Sequence, residues 1–150
     1  MIAKTVKYKG FDGEDIEEVV RLHLTKAEVM NLDLKYSDYG GLINYLRKIL
    51  TDVKEDDIYM KPLITVLQTL ILAAYGRKTD DGRFVKKMNG VALADEFESS
   101  EAFSELLVHL LSEEGSNEIE PLILGMFPSD MIDRNKYDEK KAAMQAAFKE

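Results

Sequence analysis

The side chains able to do chemistry are few in kind. His23 and His109 are the only histidines, and there is no cysteine. Disulfides, thiolate zinc sites and thiol nucleophiles are therefore excluded. The histidines fall in different predicted elements with no ligand spacing around either, so each reads as a core or surface residue. No nucleophile-elbow motif accompanies them, which leaves a Ser-His-Asp triad without support. Carboxylates are abundant: residues 88 to 133 hold eleven acids and no lysine or arginine. Two of them converging in one pocket would make a general acid and base. The plainer reading of such a run is a solvated helix face. Gly40-Gly41 lacks the lysine and Ser/Thr that follow the glycines of a phosphate loop. "DGEDIEE" and "TDDGR" lack the ligand spacing of a calcium loop. The reading predicts no catalytic residue, no metal and no cofactor.

The cations gather elsewhere. "ILAAYGRKTDDGRFVKK", residues 71–87, holds Arg77, Lys78, Arg83, Lys86 and Lys87 around a turn marked by Gly and Asp, in a chain of net charge −8. An island of this kind can meet an acidic surface on a second copy or on another protein. As a plain connector, its charges keep the turn wet while Phe84 and Val85 re-anchor the chain in the core. The acidic balance argues against nucleic acid and anionic membrane as partners, since both call for a basic surface.

Elements must position these groups. The chain has 150 residues, 45% hydrophobic and 32% charged, enough for one domain with its own core. "MIAKTVKYKG" has no apolar signal-peptide core. The longest apolar stretch, Pro62 to Tyr75, is broken by Thr65, Gln68 and Thr69 and is too short to span a bilayer. A soluble, cytoplasmic protein is expected. Residues 2–24 alternate as a β-hairpin, with Ile2, Val6 and Tyr8 on one face, Ile16, Val20, Leu22 and Leu24 on the other strand, and Asp12-Gly13 central in the turn. Thr25 and Glu28 form a capping box, and Leu24 and Val29 a hydrophobic staple, so a helix starts there.

A second helix carries Leu42, Leu46, Ile49 and Val53 on one face, and "KEDD" closes it. Pro62 opens a third, apolar on nearly all sides and therefore central, with Gly76 as a left-handed terminator. "VALADEF" is a short helix. Ser99 or Ser100 caps the next, whose stripe is Phe103, Leu106, Leu107, Leu110 and Leu111 and whose end is Gly115. A last helix runs from Ile119 to Met126 before Pro128. The fold class is α+β, predominantly helical: an N-terminal hairpin on about six helices within 1–128, then a C-terminal tail, 129–150.

Several pieces occur in a telling order: "LTKAE" after the hairpin, "GGLINYLRKIL", "ILAAYGRKTDDGRFVKK", "EAFSELLVHLL" and "GMFP". Together, over about residues 2–128, they resemble the tail assembly chaperones of long-tailed bacteriophages and prophages of Gram-positive hosts. The resemblance implies a cytosolic, non-catalytic protein that binds the tape measure protein. Such a chaperone keeps that client soluble while the tail tube protein polymerises around it, and is absent from the virion. It also implies self-association and, through a ribosomal frameshift, a longer second product of the same gene. Contact residues on this reading are Arg77, Lys78, Arg83, Phe84, Lys86 and Lys87 at the basic turn. Leu122, Ile123, Met126 and Phe127, with Met131 and Ile132 just beyond, would supply an apolar surface for the client; on the plainer reading they close the core. The competing readings are a structural tail component that stays in the virion, another prophage-encoded binding module, and a small enzyme built on the acidic cluster.

Overall fold

Alternating side chains build the first layer. β1 (Ile2–Lys9) and β2 (Asp15–Leu22) pair antiparallel from Ile2↔Leu22 to Lys9↔Asp15. Alternation puts Val6, Val20 and Leu22 inside and Ala3, Thr5 and Lys7 outside. The turn departs from the expected one. Gly13 N–H donates to the Gly10 carbonyl at 2.9 Å, so Phe11 and Asp12 are the central residues. Gly13 alone in the turn takes a positive φ, 84°. A tight two-residue turn centred on Asp12-Gly13 would need both at positive φ.

A computed structural model describes residues 1–55 and 60–131, apart from the side chains of 53–55. Six α-helices stand among the described residues: α1 (Lys26–Lys35), α2 (Leu42–Glu55), α3 (Met60–Ala74), α4 (Leu93–Glu98), α5 (Glu101–Leu111) and α6 (Ile119–Met126). The expected Val53 side chain, the Asp56-Asp57 of "KEDD", Ile132 and the tail from 132 to 150 lie outside the described residues.

α1 begins as its capping box dictates. Thr25 Oγ1 accepts from Glu28 N–H at 3.2 Å, and the Glu28 carboxylate accepts from Thr25 N–H at 2.9 Å. Ser100 rather than Ser99 caps α5, accepting from Phe103 N–H at 3.2 Å. Pro62 falls in the first turn of α3, where its missing N–H costs nothing. α3 buries Leu63, Val66, Leu67, Leu70, Ile71 and Ala74, and so forms the centre of the molecule. α2 and α5 pack on it, and α5 and α6 close over β1. Each large aliphatic side chain buried this way stabilises the fold by about 1.5–3 kcal/mol.

Two glycines act differently from expectation. α3 does not end in a left-handed residue. The chain passes straight into β3 (Tyr75–Lys78), which pairs with β2 through Arg21↔Gly76 and Leu22↔Tyr75. Gly76 is glycine because an added Cβ would lie 2.5 Å from the Val85 carbonyl oxygen and 2.6 Å from the Phe84 ring. Likewise α5 stops at Leu111, with Ser112 extended as its cap. Gly115, at φ −87°, lets the chain fold back across the helix end, where a Cβ would sit 1.9 Å from the His109 carbonyl oxygen.

β3 continues the sheet to β4 (Phe84–Val85), giving the order β1-β2-β3-β4. A separate two-stranded ribbon, β5 (Lys87–Met88) and β6 (Val91–Ala92), leads into α4.

Candidate protein-contact surface

The basic stretch runs from the end of α3 through one small hairpin into the first strand of a second. In the first, Arg77↔Val85 and Lys78↔Phe84 pair across a turn of Thr79 to Arg83. Thr79 N–H donates to the Arg83 carbonyl at 2.7 Å, and Gly82 N–H to the Thr79 carbonyl at 3.0 Å. Gly82 takes φ 85°, which glycine adopts without strain. Thr79 Oγ1 also accepts from Arg83 N–H at 3.0 Å and contacts the Asp81 carboxylate. In the second hairpin Asn89 and Gly90 both have positive φ, 52° and 78°. That pair matches the twist of the strands it joins. Asn89-Gly90, a dipeptide suited to such a turn, is the sequence signal of this ribbon.

The five cations divide by role. Lys86 Nζ donates to both Glu28 carboxylate oxygens at 2.6 and 2.7 Å and to the Ala73 carbonyl at 2.7 Å. It ties the hairpins to the first turn of α1 and the last turn of α3. Burial alone would raise the Glu28 carboxyl; the hydrogen bonds from Lys86 and Thr25 outweigh it and hold that carboxyl below its usual range. Arg83 Nε donates to Asp81 at 2.9 Å within its own turn. The Thr79 and Arg83 hydrogen bonds keep the Asp81 carboxyl low. Arg77 faces Glu96 only loosely, at 3.9 Å. Lys78 and Lys87 are exposed and have no carboxylate partner among the described residues.

Apolar residues accompany the cations. Met88 and Val91 are cross-strand partners, 44% and 58% exposed. Phe84 is half-buried, edge-on to His23 with ring centres 5.8 Å apart. His23 Nδ1 is buried without a partner. Burial lowers the His23 pKa, and the chain's N-terminal ammonium and Lys86 act in the same direction. Between β2 and the first hairpin lies an open cleft of about 590 Å³, walled by Glu18, Arg21, Arg77, Lys78 and Asp80.

Leu122, Ile123, Met126 and Phe127 do not stand on this or any other surface. All four are at most 3% exposed. α6 is held inward: the Met126 carbonyl accepts from Leu24 N–H at 2.7 Å, and Gly125 packs so close to Ile2 that a Cβ would lie 2.8 Å from it.

Three acids of the acidic half are engaged with cations. Glu118 accepts from Lys4 at 3.0 Å and pairs with His109 Nε2 at 2.6 Å. Glu120 pairs with Arg47 at 2.7 Å, and Asp130 with Lys26. Lys4 and His109 lower the Glu118 carboxyl, and Lys26 lowers that of Asp130. A catalytic acid needs the opposite shift. No group of three or more His, Asp or Glu gathers as a metal site among the described residues. None of their helices is long and apolar enough to cross a membrane.

The two hairpins thus present exposed cations and an exposed apolar pair. Comparison with known proteins adds one positive finding. The model of the family described as phage tail assembly chaperone matches residues 1–150, the whole chain. No curated protein matches, and no solved structure does.

Proposed function

The chain belongs to the phage tail assembly chaperones, and from that membership we propose that it binds the tape measure protein and keeps it soluble during tail tube assembly. It acts in the host cytoplasm by binding, without catalysis, and leaves before the virion is complete. The observation that carries this reading is the family match over the full length. The hairpins support it. Arg77, Lys78 and Lys87 project with Met88 and Val91 from a frame that Lys86 locks to two helices. Such a surface offers charge for registration and apolar area for adhesion. The same cations suit the exposed acids of a second copy, so self-association uses this surface too.

The test is co-expression with the tape measure protein, followed by size-exclusion chromatography with light scattering. The expected result is a client that is insoluble alone and co-elutes with this chain in a defined complex. A client that stays insoluble while this protein elutes alone would overturn the reading.

A further inference from the structure

β2 and β3 pair at Arg21↔Gly76 and Leu22↔Tyr75 and then part. From Val20 back to Asp15, the edge of β2 turned away from β1 has no backbone partner among the described residues. The cleft of about 590 Å³ opens along the Glu18–Arg21 part of that edge. Tyr75 and Gly76 line its closed end, and Val19, 48% exposed, stands on one wall. Arg21, Arg77 and Lys78 bring three cations to it. Only Arg77 has a carboxylate nearby among the described residues, Glu96 at 3.9 Å. The walls also hold two acids. Glu18 already accepts from the Tyr8 hydroxyl at 2.9 Å, and Asp80 stands on the exposed turn.

The turn between β1 and β2 has the opposite character. Phe11, one of its two central residues, is 101% exposed. Such positions are ordinarily filled by small or polar residues. Asp12, Glu14 and Asp15 surround it, and among these only Asp15 has a cation partner within the described residues, Lys9. The tip does not serve its own cleft. Asp15 lies three residues beyond Glu18 on an extended strand, roughly 10 Å away, and the ladder to β1 would have to break for the turn to fold back.

We propose that the β1–β2 turn of one copy docks in the cleft between β2 and β3 of a second copy. Phe11 packs on Val19 and Tyr75, while Asp12 and Glu14 meet Arg21, Arg77 and Lys78. The occupant is a second copy because its tip carries what the cleft lacks: unpaired carboxylates for the unpaired cations, and a bare aromatic anchor. The extended residues flanking the turn can also pair with the free edge of β2, as in strand addition. The contact joins two different surfaces, so each pair of copies keeps one free tip and one free cleft, and repetition closes a ring or extends a chain. This inference rests on the self-association reading above and names its contact.

The test is sedimentation velocity of the full chain over a concentration series at low salt. A tip variant carries Phe11→Ser, Asp12→Asn and Glu14→Gln; a cleft variant carries Arg21→Glu and Lys78→Glu. The wild type should self-associate. Each variant alone should do so at least about tenfold more weakly, with an unchanged circular dichroism spectrum. Mixed together, the two should form a 1:1 dimer and stop there, because one intact tip and one intact cleft remain between them. That dimer would also show that both variants are folded. If the tip variant associates as the wild type does, self-association stands and this contact is overturned. If the mixed variants form no dimer, the contact is overturned likewise. A wild type that stays monomeric throughout the series overturns both the contact and self-association, and leaves tape measure binding to its own co-expression test.

Discussion

Replacing Lys86 by methionine separates a structural lysine from the contact lysines beside it. The substitution keeps most of the aliphatic stem and removes the ammonium. Three hydrogen bonds disappear, two to Glu28 and one to the Ala73 carbonyl. Bonds to charged groups contribute about 1.5–3 kcal/mol each where dry, and stranding a fully buried carboxylate costs about 3–5 kcal/mol. The Lys86 and Glu28 side chains are 26% and 32% exposed, so water screens the pair and rehydrates Glu28 in part. The expected loss is about 1–3 kcal/mol, a fall of about 2–4 °C in Tm per kcal/mol for a chain of this size. Urea denaturation at neutral pH measures it, and a double-mutant cycle with Glu28→Gln isolates the pair. The pH dependence has a fixed sign. Glu28 is held below its ordinary value, so its contribution is present above about pH 4.3 and lost as the pH falls through its folded pKa. Lys86→Met should therefore have a flatter acid limb than wild type. A loss below about 0.5 kcal/mol, within the range of ordinary surface changes, would refute the internal role and return Lys86 to the contact set.

Charge reversal of Arg77, Lys78 and Lys87 to Glu should change stability by no more than about 0.5 kcal/mol yet weaken complex formation, read by light scattering of the co-expressed proteins. Gly76→Ala should cost about 1–3 kcal/mol in chemical denaturation, because the Cβ would meet a backbone oxygen of the neighbouring strand that cannot move aside. Gly82→Ala has open space around it and should lose only about 1 kcal/mol, the penalty of its positive φ. The lowered pKa of His23 means that its contribution is full above the ordinary histidine value and is lost as the pH falls through the folded one. His23→Gln should reduce the stability difference between pH 7.5 and 5.5, and an unchanged difference would assign that slope to other groups.

What the sequence made legible was local. The start of α1 needed only Thr25, Glu28, Leu24 and Val29, all within one turn, and each could be read without knowing the fold. The stripes of α2 and α5 were legible for the same reason. Glycine roles were not: Gly76 and Gly115 lack a Cβ either way, and sequence cannot say whether handedness or close approach demands it. α6 defeated the reading differently. Leu122, Ile123 and Met126 share one face of a short helix and Phe127 caps it, a pattern that fits a core as well as a groove. Met30 and Leu34 look like core residues until Val29, Leu32 and Tyr36 are seen to fill the inward face of α1, which leaves both exposed. The part played by Lys86 depends on partners 58 and 13 positions away, beyond any local pattern.

That division among the cations bears on how a partner would engage the hairpins. Arg77 and Glu96 stand 3.9 Å apart, with side chains 54% and 76% exposed, so their pairing is screened and contributes little. A carboxylate from another molecule that reached Arg77 in the two-pronged geometry would gain charge-assisted bonds the present contact lacks. Glu96 would then be released to solvent at small cost. Lys86 offers no such exchange, because its ammonium already donates to both Glu28 carboxylate oxygens and to the Ala73 carbonyl at 2.6–2.7 Å. The surface thus combines one cation fixed for architecture with others, Arg77, Lys78 and Lys87, whose present partners are weak or missing among the described residues. Binding that depends on these exposed cations should weaken steeply with salt, whereas the Lys86 tie should not. A complex insensitive to salt would place its energy on apolar contacts, such as those of Met88 and Val91.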